Sequence, residues 1–169
     1  MAKLTIVQDI TEQHTDIIVN AANKYLLGGV DAIHKAAGPT VLEECKHIIK
    51  EHYLRVSVGD SVFTTGNLPV QFIIHTVGPR FADYKDDSRK KLLASCYVTS
   101  LKIAMYCNSK TIAFPSISTG IYCPIEECSK IAVDTVRDFT QNNEGLDEVR
   151  FVLFSEKDYK IYEDLLKNN

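Results

Sequence analysis

Two carboxamides, a Gly-Gly turn, a carboxylate and an imidazole fall close together near the start of this chain: Asn20, Asn23, Gly28-Gly29, Asp31 and His34. The apolar run Ile17-Ile18-Val19 reads as the end of a buried strand that delivers both carboxamides into a turn. The glycines let the backbone approach a ligand more closely than a Cβ would permit. Asp31 and His34 sit three apart at the start of a predicted helix, so both side chains can face one cleft. This set suits a polar, phosphate-bearing ligand, which needs amide donors, close backbone approach and a group able to handle a proton.

A second constellation follows the short apolar strand Thr111 to Pro115. Small hydroxyl residues and a glycine, Ser116-Ile117-Ser118-Thr119-Gly120-Ile121-Tyr122, lead to a helix expected to begin near Pro124. Such a loop can turn several N–H groups toward an anion, and a helix N-terminus favours negative charge. The Gly-Lys-Ser/Thr ending of a P-loop is missing, which disfavours a magnesium-dependent NTPase. The Gly-x-Gly-x-x-Gly fingerprint of a dinucleotide dehydrogenase is missing too.

The elements that must position these residues alternate along the chain. Strands are expected at Leu4 to Val7, Asp16 to Asn20, Asp60 to Thr65, Phe72 to Val77, Thr111 to Pro115 and Val149 to Phe154. Helical spacing runs from about Asp31 to His52, broken at Gly38-Pro39 into two helices, and over Ser88 to Cys107, Pro124 to Thr140 and Asp158 to Leu166. Gly66-Asn67-Leu68-Pro69 reads as a turn between two strands. Alternating strands and helices predict one α/β/α domain over residues 1–169, with a mostly parallel sheet covered on both faces. In such sheets ligands lie at the carboxyl ends of the strands.

Composition narrows the function classes. The chain has 169 residues, 45% of them hydrophobic, with a net charge of -3 and a pI near 5.9. An acidic balance without an aromatic platform among basic residues argues against a nucleic-acid binder. No apolar stretch reaches the ~20 residues of a bilayer span, and Met1-Ala2-Lys3-Leu4 leads straight into a strand pattern, so neither a membrane span nor a signal peptide is expected; the further expectation is a cytoplasmic location and a monomeric state. The five cysteines (Cys45, Cys96, Cys107, Cys123, Cys128) lack a Cys-x-x-Cys pair, which predicts reduced thiols and no zinc cluster. Cys123, beside the second loop, reads as a small buried apolar residue. His75, inside an apolar strand, reads as a satisfied core histidine, and His14, His47 and His52 as surface residues.

Asn20-Ala21-Ala22-Asn23, Gly28 to His34, Ala36-Ala37-Gly38-Pro39, His75-Thr76-Val77-Gly78-Pro79 and Ile117 to Tyr122 together resemble the macrodomains, specifically the MacroD-type branch. The motifs stand in the family's order and cover essentially the whole chain. The resemblance implies a three-layer α/β/α fold around a mixed, mostly parallel sheet that binds ADP-ribose. It also implies metal-independent hydrolysis of ADP-ribosyl esters, either mono-ADP-ribose on acidic protein side chains or O-acetyl-ADP-ribose, with no cofactor. By the same resemblance Asp9 and the Ile10 backbone contact the adenine, and Asn23 hydrogen-bonds the distal ribose. Asp31 positions or activates water, and His34 helps hold the site together. Ser118, Thr119, Gly120 and Ile121 surround the pyrophosphate, Tyr122 packs on the distal ribose, and Phe154 stacks near the adenine. Asn20, Gly28, Gly29 and Val30 belong to the ligand-binding set with their motif.

The chain departs from the family at its turns. The family has Gln-Gly-Asp where Gln8-Asp9 stand, four glycines where Gly28-Gly29 stand, a glycine between the residues matching Asp31 and Ala32, and another after the aromatic matching Tyr122. The turn at Gly66-Asn67 is also one short. Such glycines supply φ > 0 or close approach. Losing one between Asp31 and His34 rotates the two side chains by roughly 100° on a helix of about 3.6 residues per turn. Because only glycines are missing, intact mass is the direct check. A mass exceeding 19.0 kDa by several glycines restores the ordinary site, and a mass equal to it implies a tightened one. The tightened site leaves a second function open, a non-catalytic module that reads ADP-ribose.

Overall fold

The structure is a computed structural model and describes residues 1–27, 32–51, 54–65, 68–119 and 122–168. Among these residues six strands form one sheet: β1 (Lys3–Val7), β2 (Ile17–Ala22), β3 (Ser61–Thr64), β4 (Phe72–Val77), β5 (Thr111–Pro115) and β6 (Glu148–Val152), in the order β1-β6-β5-β2-β4-β3. All neighbouring pairs are parallel except β3–β4, which are close enough in sequence to need no helical crossover. Five α-helices among the described residues accompany the sheet: α1 (Ala32–Ala37), α2 (Pro39–Glu51), α3 (Ser88–Tyr106) and α4 (Ile125–Asn142) lie between strands, and α5 (Glu156–Lys167) follows the last. Among the described residues, no helix is long and apolar enough to cross a membrane.

Strand β2 shows why the sheet must be covered on both sides. Ile17, Ile18 and Val19 are each fully buried, yet consecutive side chains point to opposite faces. Ile17 and Val19 join Leu93, Leu101, Val133 and Tyr162 from α3, α4 and α5. Ile18 joins Ile33, Ala37, Val41 and Cys45 from α1 and α2. The result is three layers, α/β/α, with each large buried side chain contributing about 1.5–3 kcal/mol. On the α3–α5 side, Tyr97 packs against Phe114 at 5.0 Å and Tyr162 against Phe151 at 5.2 Å. Burial pushes the Tyr162 phenol up to about 12 and Tyr97 well above its ordinary value.

Several boundaries differ from the sequence expectation. Strand β2 runs to Ala22, two residues past its expected end at Asn20, so of the two carboxamides only Asn23 lies beyond the strand. Helix α4 starts at Ile125, with Pro124 as its N-cap rather than in its first turn. Strand β6 spans Glu148–Val152, so Phe154 lies beyond the strand it was expected to end. The break at Gly38 stands, with φ at +80°, as its lack of a Cβ allows. The turn expected at Gly66-Asn67 and the surface placement of His52 lie outside the described residues. His14 and His47 are exposed as expected.

The expectation of five reduced thiols fails at one pair. Cys123 and Cys128 are joined as a disulfide, with their Cα atoms 6.2 Å apart. Cys123 precedes the N-cap of α4 and Cys128 lies in its opening turns, so the chain entering the helix brings the two sulfurs together. A search for Cys-x-x-Cys spacing does not detect a pair that the start of a helix creates. Cys123 is buried, as expected. Burial drives the Cys96 thiol up to about 11.

At the β1–β6 edge, Glu148 receives three hydrogen bonds. Thr5 Oγ1 donates at 2.8 Å, and Arg150 donates through Nε at 3.0 Å and Nη2 at 3.1 Å. The Arg150 bonds are the main reason the Glu148 carboxyl lies below its ordinary value of 4.5. A depressed carboxyl contributes stability above the unfolded-state value and loses it as pH falls through the folded one. Glu148→Gln is expected to cost about 1 kcal/mol near neutral pH, a Tm drop of about 2–4 °C. The gap from the parent should close as pH falls below 4.5. Thermal scans across the acid range check this, and a gap that stays constant there contradicts the assignment.

Candidate functional site

Five parallel strands share one carboxyl edge, and residues scattered over the sequence emerge there. Asp9 and Ile10 follow β1, Phe154 follows β6, Ser116 to Thr119 follow β5, Asn23 follows β2, and Gly78 to Arg80 follow β4. With strands about 4.8 Å apart, the three spacings from β6 to β4 extend roughly 14 Å, room for an elongated ligand laid across the edge. Gly28, Gly29, Val30, Asp31, Gly120 and Ile121 lie outside the described residues. Of the residues expected to bind or react, Asn20, Asn23, His34, Asp9, Ile10, Ser118, Thr119, Tyr122 and Phe154 can be placed.

At the β2 end, Asn20 is buried and its Nδ2 donates to His75 Nδ1 at 3.1 Å, across the pairing of β2 with β4. Since His75 Nδ1 accepts, its Nε2 carries the proton and donates to Thr64 Oγ1 at 2.8 Å. His75 is fully buried, and these partners satisfy it, as a core histidine requires. Asn23 is exposed and spends its carboxamide on its own loop. Its Oδ1 accepts from Tyr25 N at 3.1 Å and Leu27 N at 3.2 Å, and its Nδ2 donates to Leu27 O at 2.9 Å.

The expectation of no His and Cys cluster is corrected here. One donor atom each from His34, Cys45 and His75 lies within 4.8 Å of the others, although the three come from α1, α2 and β4. The His34 and His75 rings are 5.6 Å apart, and Cys45 Sγ stands 3.8 Å from His75 Nε2. This donor set matches a soft divalent metal in type. Both imidazole nitrogens of His75 are engaged, however, so a metal on Nε2 would have to displace Thr64. No local spacing in the sequence announces the cluster, because the fold alone assembles it.

The loop after β5 is under backbone tension. Ser118 takes φ of +63°, which a non-glycine residue rarely adopts, and its buried Oγ has no hydrogen-bond partner among the described residues. Thr119 Oγ1 donates to Ser116 O at 2.9 Å, bracing the loop internally. Glu126 and Glu127 occupy the first turn of α4 and already complement its dipole, so the helix end is a weaker anion site than its position suggests. Tyr122 is 40% exposed, the Arg80 guanidinium stands 5.2 Å from its ring, and its carbonyl accepts from Phe81 N at 2.9 Å.

Gly78, within the His75-Thr76-Val77-Gly78-Pro79 motif, is a position of close packing. A Cβ there would overlap Ser118 Oγ and approach Ile117 Cγ2 to 2.8 Å. The loops after β4 and β5 therefore touch backbone to side chain, which only glycine permits. Between them and the β2 end lies a cavity of about 490 Å³, whose walls include Ala22, Asn23, Gly78, Arg80 and Tyr122. That is the size class of small-molecule sites.

The β1 end is built differently. Asp9 takes φ of +55°, one residue past the point where the family has a glycine. Its Oδ1 accepts from Thr11 N at 3.0 Å and Thr11 Oγ1 at 2.8 Å, closing a turn over the buried Ile10. Gln13, which no local motif marks, holds this turn. Its Nε2 donates to Gln8 O and Asp9 O, both at 2.9 Å, while Arg150 Nη1 donates to its Oε1 at 3.0 Å. The Glu148–Arg150 pair at the sheet edge thus extends into support for the Asp9 turn. Phe154, past β6, is 72% exposed, which leaves its ring open to contact.

Comparison with known proteins agrees with this architecture. The chain is 44% identical to O-acetyl-ADP-ribose deacetylase 1 of Pantoea vagans, over 98% of this chain and 99% of that protein. It superposes on the Oceanobacillus iheyensis macrodomain with ADP at a TM-score of 0.91 and 44% identity, covering 97% of this chain and 90% of that one. It superposes on the Trypanosoma brucei macrodomain in complex with ADP-ribose at a TM-score of 0.85 and 32% identity, covering 96% and 68%. The family model described as Macro domain matches residues 19–132. The chain belongs to the macro domain family.

Proposed function

We propose that this macro domain binds ADP-ribose across the carboxyl edge of its sheet and hydrolyses ADP-ribosyl esters. The substrates are mono-ADP-ribose on acidic protein side chains and O-acetyl-ADP-ribose. The observation that carries the reading is the convergence of the loops after β1, β6, β5, β2 and β4 on one edge, with a cavity of about 490 Å³ at the Asn23–Tyr122 end. A relative named as an O-acetyl-ADP-ribose deacetylase, aligned over nearly its whole length, supports the choice of chemistry.

In this reading the adenine lies toward Asp9, Ile10 and Phe154, the pyrophosphate against the N–H groups of Ser118 to Ile121, and the distal ribose between Asn23 and Tyr122. Water, oriented by Asp31, attacks the acyl carbon and gives its proton to Asp31; the bond from that carbon to the ribose oxygen breaks, and Asp31 returns the proton to the departing ribose oxygen. Positioning and backbone donors provide most of the rate, and no protein nucleophile is required. His34, buried beside the His75–Cys45 cluster, fixes the helix that follows Asp31.

A reader without chemistry is the second reading. It is favoured by the shortened turns and by Asn23, whose carboxamide is committed to its own loop. Calorimetry with free ADP-ribose beside an O-acetyl-ADP-ribose hydrolysis assay separates the two. Binding with turnover supports the hydrolase, binding alone supports the reader, and no binding rejects both.

A further inference from the structure

We propose that the surface beyond Tyr122 docks the acceptor protein, receiving acidic residues that flank the ADP-ribosylated side chain, and that Arg89 is the charge that selects them. This rests on the ADP-ribosyl-ester reading. There the acyl group hangs from the distal ribose beside Tyr122, so whatever bears it must continue past that ring.

The structure has a place for the continuation. A second cavity of about 370 Å³ shares Tyr122 with the first and is lined further by Phe81, Arg89, Cys123, Pro124 and Glu127. Its wall is fixed in two ways: Phe81 N donates to Tyr122 O at 2.9 Å, and Cys123 is tied to Cys128.

The charges single out one residue. From Arg80 to Lys91 the chain holds five basic residues (Arg80, Lys85, Arg89, Lys90, Lys91) and three acidic ones (Asp83, Asp86, Asp87), a local surplus of two in a chain of net charge -3. Arg80 stands 4.0 Å from Asp83, and Lys90 is 3.5 Å from Asp87 and 3.8 Å from Glu127. The acid nearest this surface, Glu127, is thus countered by Lys90. Arg89 has no carboxylate partner among the described residues. Its guanidinium lies 5.0 Å from the Phe81 ring, and its buried Nε has no hydrogen-bond partner among those residues. A guanidinium set against an aromatic ring, with no carboxylate partner among the described residues, is ready to take a carboxylate through its Nη donors.

The test uses peptides carrying ADP-ribose on a glutamate through a non-hydrolysable link, with acidic or with neutral flanking residues, and free ADP-ribose as reference. Calorimetry on the parent should show the acidic-flanked peptide binding roughly three- to tenfold tighter than the neutral one. High salt should erase that margin. Arg89→Ala should abolish the preference, Arg89→Lys should keep part of it, and both should bind free ADP-ribose as the parent does. Equal affinity of the parent for the two peptides, or a preference that survives in Arg89→Ala, overturns the proposal. Failure to bind free ADP-ribose identifies a failure of the underlying function instead, and the docking proposal falls with it.

Discussion

Asp31→Ala is expected to lower release of ADP-ribose from an ester by two to three orders of magnitude, roughly what a positioned general base contributes. Asp31 lies outside the described residues, but α1 begins at the next residue, Ala32. That position offers a competing role. An aspartate just before a helix can cap it, and losing a cap costs about 1 kcal/mol of stability without touching chemistry. Two measurements separate the roles. A catalytic Asp31 gives a large rate loss while ADP-ribose affinity stays within about threefold, which is below 1 kcal/mol. A cap alone gives a lower Tm and an unchanged rate. Release at the parental rate from an ADP-ribosylated acceptor rejects the water-activating role, and the reader then becomes the better account.

Gly78→Ala should weaken ADP-ribose binding by about tenfold or more, an expectation resting on the roughly 1–3 kcal/mol that overpacking costs. The added methyl would overlap Ser118 Oγ and press on Ile117 Cγ2, so the loop after β5 must shift. That loop holds the N–H groups assigned to the pyrophosphate, and its Ser118 is already at a positive φ. Combining Gly78→Ala with Ser118→Ala removes the first overlap and leaves the second. Partial recovery of affinity is therefore expected, with the double mutant between the single variant and the parent. Titration of both variants with ADP-ribose, beside a thermal scan to show that each is folded, checks this. Parental affinity in Gly78→Ala would place the phosphates elsewhere, and the assignment of the loop would have to be withdrawn.

Much of the fold is written in local patterns. Unbroken apolar runs such as Ile17-Ile18-Val19 and Ile112-Ala113-Phe114 demand a sheet buried on both faces, and the alternation with helices demands parallel pairing. Gly38-Pro39 divides one helical pattern into two for reasons contained in those two residues. The candidate loops were legible as well, because amides, hydroxyls and glycines after apolar runs mark the carboxyl ends of strands. These are short-range signals, set by sterics and by the period of each element.

Other features exist only after the chain has closed on itself. The strand order lies beyond local pattern, since β1 pairs with β6 across nearly the whole chain and β5 comes to lie between β6 and β2. Asn20 marks the expected end of its strand because the apolar pattern fades there, yet His75, from a strand far along the chain, takes its amide inside the sheet and pairing continues to Ala22. Gly78 meets Ser118, and Gln13 joins the Asp9 turn to Arg150, because neighbouring strands end side by side. His34, Cys45 and His75 gather because α1 and α2 pack on the face to which β4 turns its imidazole. Each of these contacts is between residues that share no local period, so their energies enter only with tertiary packing. The sequence alone determined which residue types reach the carboxyl edge; the tertiary structure decided which of them line the cavity there and which are consumed in holding the edge together.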